Sequence, residues 1–278
     1  MTHSTSSPEQ KKLNKDTHPA ASRVKDRAKA GGVRLFAIAF WLIVWHVGSM
    51  LIGQSIILVS PVEAVRTLIG MMGTADFYEA VFGSLGRILS GFLMGVLLGT
   101  ALAALSYVVP LIGILLGPLM QAIKATPVAS FVILALIFIS SRYLSVLMGF
   151  LMVLPLIYTN VLTGLKNTDV KLIEMARVFK MRIGARILSI YIPAVYPHFL
   201  SACALSLGMS WKAGVAAEVI GLPDGSIGEA LYQAKIFFST PELYAWTIAI
   251  ILLSVGLEQA VLWMVRRINR RLDGGMGA

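Results

Sequence analysis

Long runs of mainly apolar residues alternate with short polar and basic segments along this chain. The apolar runs are residues 33–52, 84–109, 110–140, 143–165, 194–217 and 243–265. A helix that crosses a bilayer needs about 20 such residues, so the pattern predicts an all-α integral membrane protein with about six transmembrane helices. Pro110, Pro118 and Pro127 interrupt the third run. They predict either a simple kink or a broken segment that lines a translocation path.

Polar and basic segments divide the chain and orient it. We predict a disordered basic tail over 1–32, a first transmembrane helix within 33–57, a helical core over 58–267 with a polar loop at 166–193, and a tail over 268–278. Lys and Arg concentrate near both ends and in the loop. Because such residues favour the cytoplasmic side, the loop and both termini are predicted to be cytoplasmic.

The polar loop carries apolar residues at near-helical spacing. Ile173, Ala176 and Phe179 follow this spacing among basic residues. Each central charge costs roughly 2.5–3.5 kcal/mol in hydrocarbon, so the loop is expected at a membrane face. An apolar stripe on such a loop predicts a partner that packs against it.

This loop resembles the EAA loop of binding-protein-dependent ABC-importer permeases of type I. Glu174, Ala176 and Pro193 stand at matching positions, and Lys180 stands where the family pattern has glycine. A residue other than glycine in the left-handed conformation costs roughly 1–2 kcal/mol. The turn is therefore expected to be gentler than in the family, or Gly184 is expected to take up part of the bend.

The resemblance implies that the loop couples the chain to an ATPase. In the family, the loop is a coupling helix that enters a groove on the ATPase subunit. The implied coupling residues are Glu174, Ala176, Arg177, Lys180, Gly184 and Pro193. Glu174 is expected at the start of a short helix, where its charge complements the helix dipole and reaches Arg177 one turn later.

The resemblance also implies the other parts of an importer. These are the type I permease fold, a second permease copy, two cytoplasmic ATPase subunits that bind ATP and Mg, and an external substrate-binding protein. Transport would proceed by alternating access across a bacterial cytoplasmic membrane.

Residues 58–69 and 210–218 resemble the nitrate/sulfonate/taurine branch of the family. That branch implies a small anion or an organosulfur compound as substrate, and it also includes permeases for pyrimidine-like vitamin precursors. A secondary transporter driven by an ion gradient is the alternative function. Such transporters often contain internal repeats and ionisable residues at mid-membrane.

Composition excludes several other classes of protein. The chain has 278 residues, of which 57% are hydrophobic and 14% charged, against about 25% charged in a soluble domain. Its net charge of +10 lies at the ends of the spans and does not indicate nucleic acid. No phosphate-binding loop, metal-binding cluster or nucleophile motif occurs in the sequence. We therefore predict a transport subunit that is not an enzyme and holds no cofactor of its own.

A few polar and ionisable residues in or beside the spans are candidates for the substrate pathway. They are Lys124, Thr126, Ser210, Trp211, Lys212 and Glu218. Ionisable groups inside a membrane are expensive and often functional. Lys212 in a lumen would favour an anionic or zwitterionic substrate; alternatively, it pairs with Glu218 or extends to the interface. Arg87 is expected to extend to the interface as well.

The second predicted span carries a stripe of small residues. Gly91, Gly95 and Gly99 recur every four positions. Such a stripe lets another helix backbone approach closely. The neighbouring helix belongs either to the same subunit or to a second one.

Overall fold

The chain folds as helices, as the sequence predicts. The computed structural model describes the backbone of residues 19–54 and 56–275, and the side chains of residues 36–54, 56–265 and 267. Every regular element within these ranges is a helix. The contacts divide the chain into two units, Met1–Pro61 and Val62–Ala278.

Helix α1, Pro19–Ile52, is the main element of the first unit. It begins before residue 33 because Ala, Lys and Arg, which favour helix, follow a proline that suits a first helical position. Residues 1–18 of the predicted tail lie outside the described residues, and the rest of that segment belongs to α1. Among the residues whose side chains are described, Phe36–Ile52 is its apolar stretch. The Trp45 indole donates a hydrogen bond to the Val59 carbonyl (3.0 Å).

The remaining helices form an ordered series. They are α2 Pro61–Met71, α3 Ala75–Val108, α4 Pro110–Ala125, α5 Val128–Leu136, α6 Leu144–Lys166, α7 Val170–Val178, α8 Ile183–Arg186, α9 Ile192–Gly221, α10 Ile227–Ile236 and α11 Thr240–Gly275. A single-turn 3-10 helix, Ser141–Tyr143, precedes α6, and a π-helical turn, Ile187–Tyr191, joins α8 to α9. Helix α11 continues through the segment predicted as a C-terminal tail, since the next glycines come only at its end.

Four helical stretches among the described residues are long and apolar enough to cross a membrane. They are Ala75–Val108, Ser141–Lys166, Ile183–Gly221 and Thr240–Val265. Helices α4 and α5 meet at 97° and together would make a fifth, broken span. The bend falls at Pro127, which has no N–H to continue the helix and restricts the residue before it.

Helix α6 packs more extensively than any other described helix, against α3 and against α9, and these three form the bundle. Helix α3 runs parallel to α6: Gly91 lies beside Val146, and Gly99 lies beside Leu154 and Ile157. Helix α9 is antiparallel to α3, since Ser84 and Ile88 lie beside Glu218 and Gly214. It is antiparallel to α6 as well, since Gly149 and Gly164 lie beside Ser210 and Val195. The bundle therefore has an α7 end, where α3 and α6 finish, and an α10 end, where α9 finishes.

The glycine stripe of α3 lies against α6 of the same chain. A Cβ atom on Gly91 would overlap the Val146 carbonyl oxygen, and one on Gly95 would lie 2.7 Å from Val153 Cβ. This arrangement corresponds to the first of the two alternatives, packing within one subunit. The small residues let the two backbones approach closely, and the larger residues beside them fill the core.

Candidate functional site

Helix α7 begins at a capping aspartate. The Asp169 carboxylate accepts a hydrogen bond from the Lys171 amide (2.9 Å) and so caps the helix. Asp169 therefore carries the negative charge at the positive end of the helix dipole. The expectation that Glu174 stands at the helix start is wrong, since Glu174 is the fifth residue of α7. The asparagine, threonine and aspartate at 167–169 were the available sequence signal for this start.

Helix α7 ends in a sharp turn centred on Lys180. Lys180 has φ of 49°, in the left-handed region. The Met181 amide donates to the Ala176 carbonyl (2.9 Å), and the Lys180 amide donates to the Arg177 carbonyl (3.1 Å). These two bonds are the Schellman pattern that closes a helix end. The turn is therefore as tight with lysine as with glycine, and Gly184, which lies in α8 without a positive φ, does not replace it.

Replacing Lys180 with glycine should stabilise the turn, because glycine adopts the left-handed conformation freely. We expect Lys180→Gly to gain about 1 kcal/mol locally, which slows amide hydrogen exchange in α7 roughly fivefold. Lys171→Gly is the matched control, since it places glycine at a helical position and should speed exchange. Unchanged or faster exchange in Lys180→Gly would contradict a strained turn.

The loop presents a mixed apolar and basic surface. We call this the coupling surface: Val170, Leu172, Met175, Val178, Phe179 and Ile183, all exposed. Phe179 is 75% exposed and Ile183 is 74% exposed, while Arg177 and Lys180 beside them are exposed as well. Several large apolar side chains exposed among charged ones indicate a protein interface.

Ala176 and Glu174 lie on different sides of α7. Ala176 is fully buried, whereas Glu174 is exposed. No ion pair joins Glu174 to Arg177 in the part of the chain that the structure describes. At the far end of the loop, Pro193 is the second residue of α9, directly after the π turn, where its missing N–H is tolerated.

A buried polar network occupies the α10 end of the bundle. Glu218 has no exposed surface, and its carboxylate accepts hydrogen bonds from Arg87 Nε (3.1 Å) and Ser84 Oγ (2.5 Å). Arg87 Nη2 donates to the Gly225 carbonyl (3.0 Å), and the Ile227 amide donates to Ser84 Oγ (2.9 Å). This network joins α3, α9 and the loop before α10.

The network corrects two expectations. Arg87 does not extend to the interface but pairs with Glu218, and Lys212 does not pair with Glu218. Glu218 thus belongs to a structural cluster at the α10 end. Ser84 and Arg87 are members that sequence reasoning missed. For Arg87 the available signal was its charge, opposite to that of Glu218, near the end of another span.

The three adjacent candidates on α9 point in different directions. Trp211 is buried, and its indole donates to the Ile250 carbonyl of α11 (3.1 Å). Ser210 is buried, and its hydroxyl would lie 2.9 Å from a Cβ atom on Gly149 of α6. Only Lys212 is exposed. Consecutive helical residues are about 100° apart, so the packing of α6 and α11 leaves one of the three facing outward.

An exposed stripe follows Lys212 along α9. Its members recur at helical spacing and are Leu205, Met209, Lys212, Ala216 and Ile220. The other side of the helix, with Leu207 and Trp211, is buried in the bundle. Lys212 is the one cation on an otherwise apolar described face.

Lys124 and Thr126 lie beside the bend between α4 and α5. Lys124 Nζ donates to Thr159 Oγ1 of α6 (3.1 Å). The Thr126 hydroxyl donates to the Ala122 carbonyl (2.8 Å) and so closes the end of α4. Thr126 therefore has a local structural contact, while Lys124 is exposed and has no carboxylate partner among the described residues.

A bundle of apolar helices, four of them long enough to cross a membrane within the described residues, is the architecture of an integral membrane protein. Residues 91–274 match the family described as the binding-protein-dependent transport system inner membrane component. The chain belongs to this family, so it is a multi-pass membrane permease.

The chain is similar to known permeases over most of their length. A Bacillus subtilis protein named as an aliphatic sulfonates transport permease is 26% identical over 84% of this chain and 85% of its own. The nitrate import permease of Synechococcus elongatus is 24% identical over 84% of this chain and 88% of its own. The bicarbonate transport system permease of the same organism is 23% identical over 70% of both chains. The predicted family and its nitrate/sulfonate branch are confirmed.

Proposed function

We propose that this chain is the permease subunit of an ATP-driven importer for a small anion. Two copies would form the pathway, an ATPase dimer would bind at the α7 end in the cytoplasm, and a substrate-binding protein would deliver the anion at the α10 end. The observation that carries this proposal is the coupling surface, which is exposed, apolar and held by a closed helix turn.

The shape of the loop suits force transmission. Asp169 fixes the start of α7, and the Lys180 turn fixes its end. Buried Ala176 anchors the helix, while Phe179 and Ile183 remain uncovered. A short helix fixed at both ends can transmit a displacement from the ATPase to α6 and α9, which border the loop. Alternating access would follow from such displacement.

The first test is purification of the tagged chain from its native membrane in mild detergent. We expect an ATPase to co-purify, and uptake in vesicles to require ATP and to persist without an ion gradient. An intact chain that purifies without any ATPase, together with uptake that follows a proton or sodium gradient, would support the secondary transporter.

A disturbance of Ala176, which anchors α7, should uncouple uptake from ATP hydrolysis. Ala176→Asp places a charge at a fully buried position, where an unpaired charge is strongly unfavourable. We expect loss of uptake and of substrate-stimulated ATP hydrolysis, with the same loss when the charge of exposed Glu174 is reversed (Glu174→Lys). Ala75→Asp, an exposed first-turn position of α3, is the matched control and should behave as the parent. Preserved substrate-stimulated hydrolysis in both loop variants would argue against docking.

The position of Lys212 supports an anionic substrate. It lies within a long apolar span and is exposed on the chain. A lysine facing hydrocarbon at that depth would cost roughly 2.5–3.5 kcal/mol. A water-filled path between two copies would avoid that cost and would attract anions. Sulfonates, nitrate and bicarbonate, which appear in the names of the relatives, are all anions.

Lys212→Ala should impair uptake without loss of assembly. Removal of the cation lowers the affinity of the path for an anion, so we expect a large fall in uptake at low substrate concentration while the ATPase still co-purifies. Lys235→Ala, which removes a cation exposed on α10, is the control. Uptake equal to that of the parent protein would remove Lys212 from the pathway.

A further inference from the structure

A cavity of mixed polarity lies at the α7 end of the bundle, between α3, α4 and α6. Its volume is about 430 Å³, within the range of about 300–1,000 Å³ of small-molecule sites. Ser106 and Tyr107 of α3 and Lys166 of α6 supply its polar groups, and the lining residues of α4 are apolar. No carboxylate is among the described residues that line it. A small anion could therefore enter the cavity without meeting a like charge on its wall.

Two of the lining residues offer hydrogen-bond donors to an anion. Ser106 is 5% exposed, and its Oγ atom accepts a hydrogen bond from the Tyr158 hydroxyl (3.1 Å). The proton of Ser106 itself then has no acceptor in the part of the chain that the structure describes, although buried hydroxyl groups usually have one. Lys166 adds an ammonium group that forms no ion pair with a described residue. An anion in the cavity would give both groups an acceptor.

A row of polar side chains leads from this cavity towards the bend between α4 and α5. Thr159, Thr163 and Lys166 recur at helical spacing and share one side of α6. At the far end of the row, Lys124 Nζ donates to Thr159 Oγ1 (3.1 Å). Thr159 and Lys166 are seven positions apart, which is about 10 Å along the helix. Both threonine hydroxyls donate to backbone carbonyls of α6, so the two lysines supply the positive charge of the row.

We propose that the cavity binds a small oxyanion on its way to the cytoplasm, held by the Lys166 ammonium group and the Ser106 hydroxyl. The proposal rests on the proposed function, in which an anion leaves the bundle at the α7 end. Lys124 would hold the anion beside the bend, and Lys166 would receive it about 10 Å further along α6. Successive weak sites let an ion both enter and leave a path, whereas one strong site would retain it.

The test is the reaction of a cysteine in the cavity with charged thiol reagents, in the full chain purified in detergent. Gly113→Cys supplies the thiol, because a Cβ atom on Gly113 would lie at an ordinary contact distance of 3.6 Å from Ser106 Cβ. The native Cys203 is buried, so the parent chain gives the background rate. The reagents are two methanethiosulfonates, one with an anionic sulfonatoethyl group and one with a cationic trimethylammonioethyl group.

Nitrate is the probe for the site, and chloride at equal ionic strength is the comparison. We expect nitrate to slow the reaction of Gly113→Cys with both reagents, because an occupied cavity excludes either of them. A general screening of charge would instead slow the anionic reagent alone and would act equally in chloride. Equal rates in nitrate and chloride would overturn the proposal.

Two charge variants, each made in the Gly113→Cys chain, show whether Lys166 holds the anion. Lys166→Gln should abolish the protection by nitrate and should lower the ratio of the anionic to the cationic reaction rate about fivefold. Lys171→Gln removes an exposed cation that lies close in the chain but outside the lining, and it should change neither quantity. If the two variants behave alike, the cavity has no anion site of its own.

A phospholipid headgroup carries similar oxygen acceptors, so phosphatidylglycerol is added in a separate arm. Protection by phosphatidylglycerol together with none by nitrate would make the cavity a lipid site and would overturn the proposal. The experiment measures neither uptake nor ATP hydrolysis. A failure of nitrate to protect would therefore remove this site and leave the proposed importer function to its own test, the co-purification of an ATPase.

Discussion

Glu218→Ala is expected to destabilise the protein by about 3–5 kcal/mol, because it leaves the partner of a buried ion pair without its counter-charge. Glu218 is fully buried, and Arg87 Nε lies 3.1 Å from its carboxylate. The same substitution removes the acceptor of the Ser84 hydroxyl. The measurement is thermal and denaturant-induced unfolding of the purified chain in detergent.

Two comparisons separate the contribution of the ion pair to stability from the effect of removing a carboxylate side chain. Glu242→Ala removes an exposed carboxylate near the start of α11 and should change stability by less than about 0.5 kcal/mol. The double variant Arg87→Leu with Glu218→Leu should be less destabilised than Glu218→Ala, because no unpaired charge remains. If Glu218→Ala unfolds at the same denaturant concentration as Glu242→Ala, the pair does not hold this end of the bundle together.

The network also bears on movement within the bundle. It connects α3, α9 and the Gly225 carbonyl of the loop before α10. Elements joined by buried, satisfied hydrogen bonds resist independent displacement. If transport proceeds by the alternating access proposed above, we therefore expect this end of α3 and α9 to move as one body.

The apolar pattern predicts the spans because hydrocarbon accepts long uncharged helices and little else. The same pattern does not predict where a helix extends into polar sequence. Helix α1 begins at Pro19 and α11 continues to Gly275, and neither extension has an apolar signal. Helix-forming residues continue both, and only helix propensity predicts this.

The loop is the candidate segment that the sequence marks most clearly, since its motif is local. Its detailed shape was not predictable from the missing glycine at Lys180. The turn is decided by two hydrogen bonds that offset the strain, and by Met181, an apolar residue suited to the position after the turn.

The membrane-embedded candidates were harder to predict because the chain order does not show which helix faces which. Arg87 and Glu218 are separated by 131 positions, and their contact depends on antiparallel packing of α3 and α9. Trp211 and Lys212 are neighbours, yet one is buried and the other exposed. Their difference comes from the placement of α6 and α11, which a single sequence does not specify.

Gly91→Ala is expected to destabilise the bundle by about 1–3 kcal/mol or more, the usual cost of overpacking a tight contact. The added Cβ atom would overlap the Val146 carbonyl oxygen of α6, and a backbone atom cannot move aside as a flexible side chain can. Gly86→Ala is the matched control, because Gly86 lies in the same helix with nothing within 4 Å of an added Cβ atom. There alanine should be neutral or stabilising, since it favours helix over glycine by about 0.5–1 kcal/mol. The two variants should therefore shift the unfolding midpoint in opposite directions. Equal midpoints would mean that α3 and α6 do not approach closely at Gly91, and the small-residue stripe would then be free to meet a second subunit.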